Sequence, residues 1–140
     1  MLKGIPSILT PELLKILMEM GHGDELAIGD GNFPTASLAK RLVRCDGHSA
    51  PAILDAIMRL MPLDPVVNAP VVLMSSSIGS PDPHIWQEYC AILRKFEPEH
   101  CQIEFMERYA FYERAARAYA IIATGETAMR GNIILKKGIC

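Results

Sequence analysis

The sequence predicts a single-domain α/β fold: a layered, mixed and mostly parallel sheet of about six strands covered by helices. Three observations lead there. The chain has 140 residues, half of them apolar, and at that length a domain typically buries about 70% of the surface its unfolded form exposes, so a core forms without staples. Four segments repeat apolar residues at helical spacing behind capping residues. Short apolar runs fill the stretches between them, and helices alternating with buried strands build helix-covered sheets. No internal repeat, low-complexity tract or linker divides the chain, so residues 1–140 read as one domain.

The elements follow in chain order. Thr10 is placed to cap a first helix, with Pro11 at its first position and Glu12 beside the positive end of the helix dipole. Leu13, Leu14, Leu17, Met18 and Met20 share its apolar face, and Gly21 ends it. Leu26-Ala27-Ile28 and Leu42-Val43 read as strands. Ser49 caps a second helix with Pro51 just inside, and Ile53, Leu54, Ile57, Met58, Leu60 and Met61 recur at helical spacing. A strand at Val71–Met74 precedes a third helix opened by Asp82-Pro83, with Ile85, Trp86, Tyr89, Cys90, Ile92, Leu93 and Phe96 facing inward. Ile103 with Phe105 forms a strand, and a fourth helix runs from Tyr109 to Ala118 with Phe111, Tyr112, Ala115 and Ala116. Ile121-Ile122 and Ile133-Ile134-Leu135 complete the strands.

Lys and Arg total 14 against 16 Asp and Glu, a net charge of −2 with His neutral. That balance excludes a dominant nucleic-acid or anionic-membrane footprint, which needs clustered positive charge. Pro6 and Pro11 interrupt any secretory apolar stretch, and no apolar run approaches the roughly 20 residues that cross a bilayer. A soluble, cytoplasmic protein with neither nucleic acid nor membrane as partner is expected. Cys45, Cys90, Cys101 and Cys140 lack Cys-x-x-Cys or Cys/His spacing, which points to free thiols rather than a disulfide framework or a zinc site.

In folds of this class a ligand crevice lies beyond the carboxyl ends of the strands. Four segments carry candidate chemistry. In Met20-Gly21-His22-Gly23-Asp24-Glu25, two glycines leave the imidazole uncrowded, and a pKa near 6.5 suits proton transfer at neutral pH. The competing reading is a His that bonds the last carbonyls of the preceding helix. Gly29-Asp30-Gly31-Asn32-Phe33-Pro34 places an acid and an amide after the first strand, suited to sugar hydroxyls or, equally, to an Asx turn. It is too short of Gly-x-Gly-x-x-Gly to indicate a dinucleotide. In Glu107–Arg114, Arg108 can fork onto hydroxyls or a carboxylate, while Phe111 and Tyr112 read first as core and Glu113 with Arg117 as a surface pair. Gly125–Asn132 leads into the last strand and offers the Asn132 amide, or a turn.

Together these segments resemble the L-fucose mutarotase and D-ribose pyranase family, the fucose branch most of all. The resemblance runs nearly end to end, through Leu2–Pro6, Leu9–Leu14, Met20–Glu25, Asn32–Pro34, Arg44–Gly47, Phe111–Ala115, Ala123–Ala128 and Gly131–Gly138. It implies a cofactor-free sugar mutarotase of mixed α/β fold, assembled as a ring-shaped decamer or smaller homo-oligomer with each site at a subunit interface. By motif, His22 falls on the family's proton-transferring histidine, Asp30 on its sugar-binding aspartate and Arg108 on its basic substrate-contacting position. The family's Tyr-(Gly/Ala)-Asn element appears as Arg130-Gly131-Asn132, with Arg130 in place of the aromatic hydroxyl.

A guanidinium only donates hydrogen bonds and is neither a base nor a useful acid near neutrality. Arg130 therefore alters sugar preference, passes proton transfer at the ring oxygen to another group or water, or weakens activity. It also suits an anionic ligand such as a sugar acid or phosphate. Three functions stay open. The first is anomer interconversion of L-fucose or a similar monosaccharide by acid–base ring opening. The second is non-catalytic sugar binding accessory to uptake, and the third is pyranose–furanose interconversion of ribose. A mean hydropathy of +0.18 is high for a monomer of this size, consistent with interface on the surface.

Overall fold

A computed structural model describes residues 1–140. The Thr10 hydroxyl accepts the Leu13 N–H at 3.2 Å, starting helix α1 (Pro11–Glu19), which buries Leu13, Ile16 and Leu17. Strand β1 (Glu25–Gly29) follows the His22 turn, then a short helix α2 (Thr35–Leu38) and strand β2 (Leu42–Cys45). Ser49 caps helix α3 (Ala50–Met58) as its position predicts. That helix stops short of Leu60 and Met61, whose amides both turn back to the Ile57 carbonyl ahead of Pro62. Strand β3 (Val71–Met74) leads to helix α4 (Ile85–Phe96), which starts later than Asp82-Pro83 suggests. The Asp82 carboxylate accepts the Ser76 hydroxyl at 3.2 Å instead of capping the helix. Strand β4 (Ile103–Met106), helix α5 (Arg108–Arg117, capped by the Glu107 carboxylate), β5 (Ala120–Thr124) and β6 (Ile133–Lys136) complete the chain.

The sheet order is β2-β5-β1-β6-β3-β4. The β1–β5, β2–β5 and β3–β4 pairs are parallel, and β6 alone runs backwards between β1 and β3. Alternate residues of the central strands feed two cores. Leu26, Ile28, Ile122, Ile133 and Leu135 join the larger one beneath α1, α3 and α4. Ala27, Ile121 and Ile134 join the smaller one with Phe33 and Phe111 on the opposite face, toward α5. The domain is thus a three-layer α/β fold with a six-stranded mixed sheet, as the sequence predicts. No helix is long and apolar enough to cross a membrane.

Candidate functional site

Because β6 opposes β1, each of its ends lies beside the other end of β1. Ile133 pairs with Ile28, which brings Asn132 next to Gly29 and Asp30, while Lys136 pairs with Glu25 on the side of the His22 turn. The predicted site residues therefore divide into two groups. Asp30, Arg130, Gly131 and Asn132 lie at the carboxyl end of β1, Arg108 lies at the same end of the sheet after β4, and His22 lies at the amino end of β1. At roughly 3.4 Å per residue, the five residue steps from the Asn132 to the Lys137 backbone span about 17 Å.

At the carboxyl end, Asp30 and the Gly131–Asn132 segment clasp each other through side chain and backbone. The Asp30 amide donates to Asn132 Oδ1 at 2.8 Å, and the Gly131 amide donates to Asp30 Oδ2 at 3.1 Å. Asp30 Oδ1 accepts the Asn32 amide at 2.9 Å, so the same carboxylate makes the Asx turn and the clasp. Both side chains are buried, and each carboxylate oxygen keeps a further acceptor position. The buried Tyr89 hydroxyl donates to the Gly131 carbonyl at 2.5 Å, and burial pushes that phenol's pKa well up, so it remains a donor. Asp30 lines a cavity of about 290 Å³ with Gly31, Pro34, Thr35, Arg44 and Thr124.

Arg108 is exposed at the start of α5, its Nε donating to the Tyr112 hydroxyl at 3.0 Å. Phe33, three residues beyond Asp30, meets the Tyr112 ring edge-on at 5.3 Å and so ties this helix to the Asp30 loop. Arg130 adopts φ 60°, the left-handed region that favours glycine. Its Nη1 donates to the Ser75 carbonyl at 2.7 Å and its Nη2 to the Ser77 hydroxyl, binding the loop after β3 to the loop before β6. Between those loops lies a cavity of about 600 Å³ lined by Asp82, His84, Glu88, Glu126 and Arg130 among others. Three carboxylates on that lining oppose an anionic ligand there.

At the amino end, the rival role for His22 is already filled. Lys137 Nζ donates to the Leu17 carbonyl at 2.7 Å and the Met20 carbonyl at 2.5 Å, satisfying the end of α1. His22 instead places Nε2 3.0 Å from Oδ1 of Asp64, and its side chain is 44% exposed against 4% for Asp64. Oδ1 of Asp64 also accepts the Val66 amide at 3.0 Å, and that N–H together with His22 holds the carboxyl below the usual carboxylate range. The pair hangs from one scaffold. The Gly23 amide, at φ 85°, bonds the Lys137 carbonyl at 2.8 Å, and the Asp64 amide bonds the Lys136 carbonyl at 3.0 Å. Gly138 lets the Leu63–Asp64 backbone close on β6, since a Cβ there would lie 2.2 Å from the Leu63 carbonyl oxygen. Asp64 escapes sequence reasoning: it stands in Leu63-Asp64-Pro65, an ordinary turn signal, 42 residues from His22.

The class this defines is a three-layer α/β protein with a buried Asp–Asn clasp at the crevice end of its sheet and an exposed imidazole on a buried carboxylate at the far end. The chain belongs to the RbsD / FucU transport protein family, whose model matches residues 3–140. It is 44% identical over 140 residues to the L-fucose mutarotase of Actinobacillus pleuropneumoniae serotype 5b, covering 99% of this chain and 97% of that one. It is 46% identical over 144 residues to the fucose mutarotase of Danio rerio, covering 99% and 94%. The crystal structure of the fucose mutarotase of Streptococcus pneumoniae in complex with L-fucose superposes with a TM-score of 0.95 at 47% identity, covering 99% of each chain. Bacillus subtilis RbsD complexed with D-ribose shares the fold, with a TM-score of 0.73 at 24% identity.

Proposed function

We propose that this chain is a cofactor-independent mutarotase that interconverts the α and β anomers of L-fucose or a closely similar monosaccharide, with His22 as proton shuttle. The observation that carries this reading is the His22 environment: an exposed imidazole on a glycine turn, relieved of helix capping by Lys137 and backed by a buried carboxylate. Likeness to the L-fucose-bound Streptococcus pneumoniae enzyme supports the choice of sugar.

Anomer exchange opens a hemiacetal and closes it on the other carbonyl face. A proton leaves the anomeric hydroxyl, the C1–ring-oxygen bond breaks with its electron pair on the ring oxygen, and that oxygen gains a proton. Rotation about C1–C2 and the reverse steps give the other anomer. General acid–base catalysis of this kind contributes about 10²–10⁴-fold and needs no redox carrier. Asp30, Gly131 and Asn132 orient the sugar hydroxyls, and Arg108 anchors from the neighbouring helix. Arg130 shapes the site through the Ser75–Ser77 loop, so protonation of the ring oxygen falls to imidazolium or water.

The active site is shared between copies of the chain. A general base acts within about 2.6–3.2 Å of its proton, whereas His22 and the Asp30–Asn132 clasp of one chain stand at opposite ends of the sheet. A second copy that docks its amino-end edge against the carboxyl-end cavity brings them together, which makes the protein a homo-oligomer, with a ring-shaped decamer the expected form. Four free cysteines fit residence in the cytoplasm.

Two-dimensional exchange NMR of α- and β-L-fucose tests the activity. Faster exchange with the wild-type protein that is lost in His22→Gln is the expected result. Binding without faster exchange would make the protein a sugar carrier and refute the reading.

A further inference from the structure

We propose that Asp64 is the positioning residue of the proton shuttle, fixing His22 in the tautomer that leaves Nδ1 as the atom that exchanges protons with the sugar. The inference rests on His22 being the shuttle. Three observations lead to it. First, Oδ1 of Asp64 lies 3.0 Å from His22 Nε2, and no other side chain hydrogen-bonds the ring. Second, Oδ1 of Asp64 also accepts the Val66 amide, so the oxygen that faces the ring is already an acceptor, and an ionised carboxylate there has only acceptor positions to offer. The shared proton then sits on Nε2, which in the neutral ring leaves the lone pair on Nδ1. Third, the side chains differ in access: Asp64 is 4% exposed and His22 44%. Sugar reaches the imidazole and not the acid, so Asp64 acts only through the ring.

The other charged side chains around the turn make their contacts elsewhere, although the Lys136 charge also favours the Asp64 carboxylate. Asp24 Oδ2 accepts the Gly21 amide at 2.8 Å, Lys137 serves the α1 carbonyls, and Lys136 lies 3.5 Å from Glu25. This arrangement also explains the Lys136-Lys137-Gly138 segment, which the sequence reading leaves without a role. Lys136 and Lys137 hold Asp64 and Gly23 by their carbonyls, and Gly138 allows the approach. When Nδ1 takes the anomeric proton, the ring becomes an imidazolium between sugar and carboxylate. Asp64 stabilises that charge without being protonated, and Nδ1 later returns the proton.

The test uses the intact assembly labelled with ¹⁵N-histidine. In wild type, long-range ¹H–¹⁵N correlations are expected to show His22 protonated at Nε2 and bare at Nδ1 near neutral pH. Asp64→Asn keeps an oxygen for the Val66 amide but can offer N–H to the ring. It is expected to shift His22 toward the Nδ1–H tautomer and slow anomer exchange by about 10²-fold, the lower end of a general acid–base contribution, with KM within threefold. A wild-type His22 protonated at Nδ1 overturns the proposal, as does an Asp64→Asn assembly whose tautomer and exchange rate are unchanged. The tautomer measurement needs neither a variant nor a turnover assay, so it stands if Asp64→Asn fails to assemble. It also separates this inference from the mutarotase reading, which falls instead if His22→Gln exchanges at the wild-type rate.

Discussion

Replacing Gly138 with alanine adds one methyl group in the segment after β6, and the structure says how far its effect travels. The new Cβ would lie 2.2 Å from the Leu63 carbonyl oxygen, 2.7 Å from the Leu63 carbonyl carbon and 2.9 Å from Asp64 Cα. All three are backbone atoms, so no side-chain rotation relieves the clash. Reaching ordinary contact requires the Leu63–Asp64 segment to retreat by about 1 Å. Overpacking of this kind typically costs about 1–3 kcal/mol, to which a weakened Gly138 N–H bond to the Pro62 carbonyl, now 2.9 Å, adds. The retreat also carries Asp64 away from His22, and misplacement by about 1 Å in a catalytic constellation can cost about 10²-fold in rate. Urea unfolding and exchange NMR on Gly138→Ala measure both effects. Gly47→Ala is the control: its Cβ meets nothing within 4 Å, so stability is expected to hold or rise. A Gly138→Ala protein as stable and active as the Gly47→Ala control would refute the scaffold argument.

Three further outcomes are expected. Lys137→Met removes both donors to the α1 carbonyls while keeping side-chain length; a loss of about 2 kcal/mol in urea unfolding is expected from two charge-assisted hydrogen bonds at a partly exposed site. Arg130→Tyr restores the family hydroxyl but abandons Ser75 and Ser77; about 1 kcal/mol of stability is expected to go, with faster proteolysis in the Ser75–Asp82 loop. The Asp64 carboxyl has its pKa lowered by the Val66 amide and by His22. Its stabilisation is therefore complete above the ordinary carboxylate pKa of about 3.9 and is lost as pH falls through the lower folded value. Stability measured across that acid range is expected to fall less steeply in Asp64→Asn than in wild type.

Local signals in the sequence located the elements well. Thr10 and Ser49 cap the helices they precede, and all six apolar runs become strands, because caps and short buried runs act within a few residues. Helix α2 has only four residues, too few to show a period. Asp82 has the composition of a cap but bonds Ser76, a choice made by the folded loop. For the site, Asp30 and Asn132 are each legible as polar groups in strand-flanking loops, but their sharing of one clasp is not. What stayed hidden depends on sheet topology. His22 precedes β1 and Asp30 follows it, so their separation is legible in chain order. Nothing local says that β6 runs backwards between β1 and β3, and that reversal brings Asn132 to Asp30 and, through the Lys136 and Lys137 carbonyls, Asp64 to His22.

The claim that one chain supplies His22 and another supplies the Asp30 clasp is tested most directly by complementation. His22→Gln and Asp30→Asn proteins, each folded and each slow in anomer exchange, are unfolded together in equal amounts and refolded. If sites form between copies, about a quarter of them in the mixed assembly carry both intact residues, and exchange of L-fucose anomers returns to about that fraction of the wild-type rate. Mixed assemblies that form yet remain as slow as either parent would contradict the account.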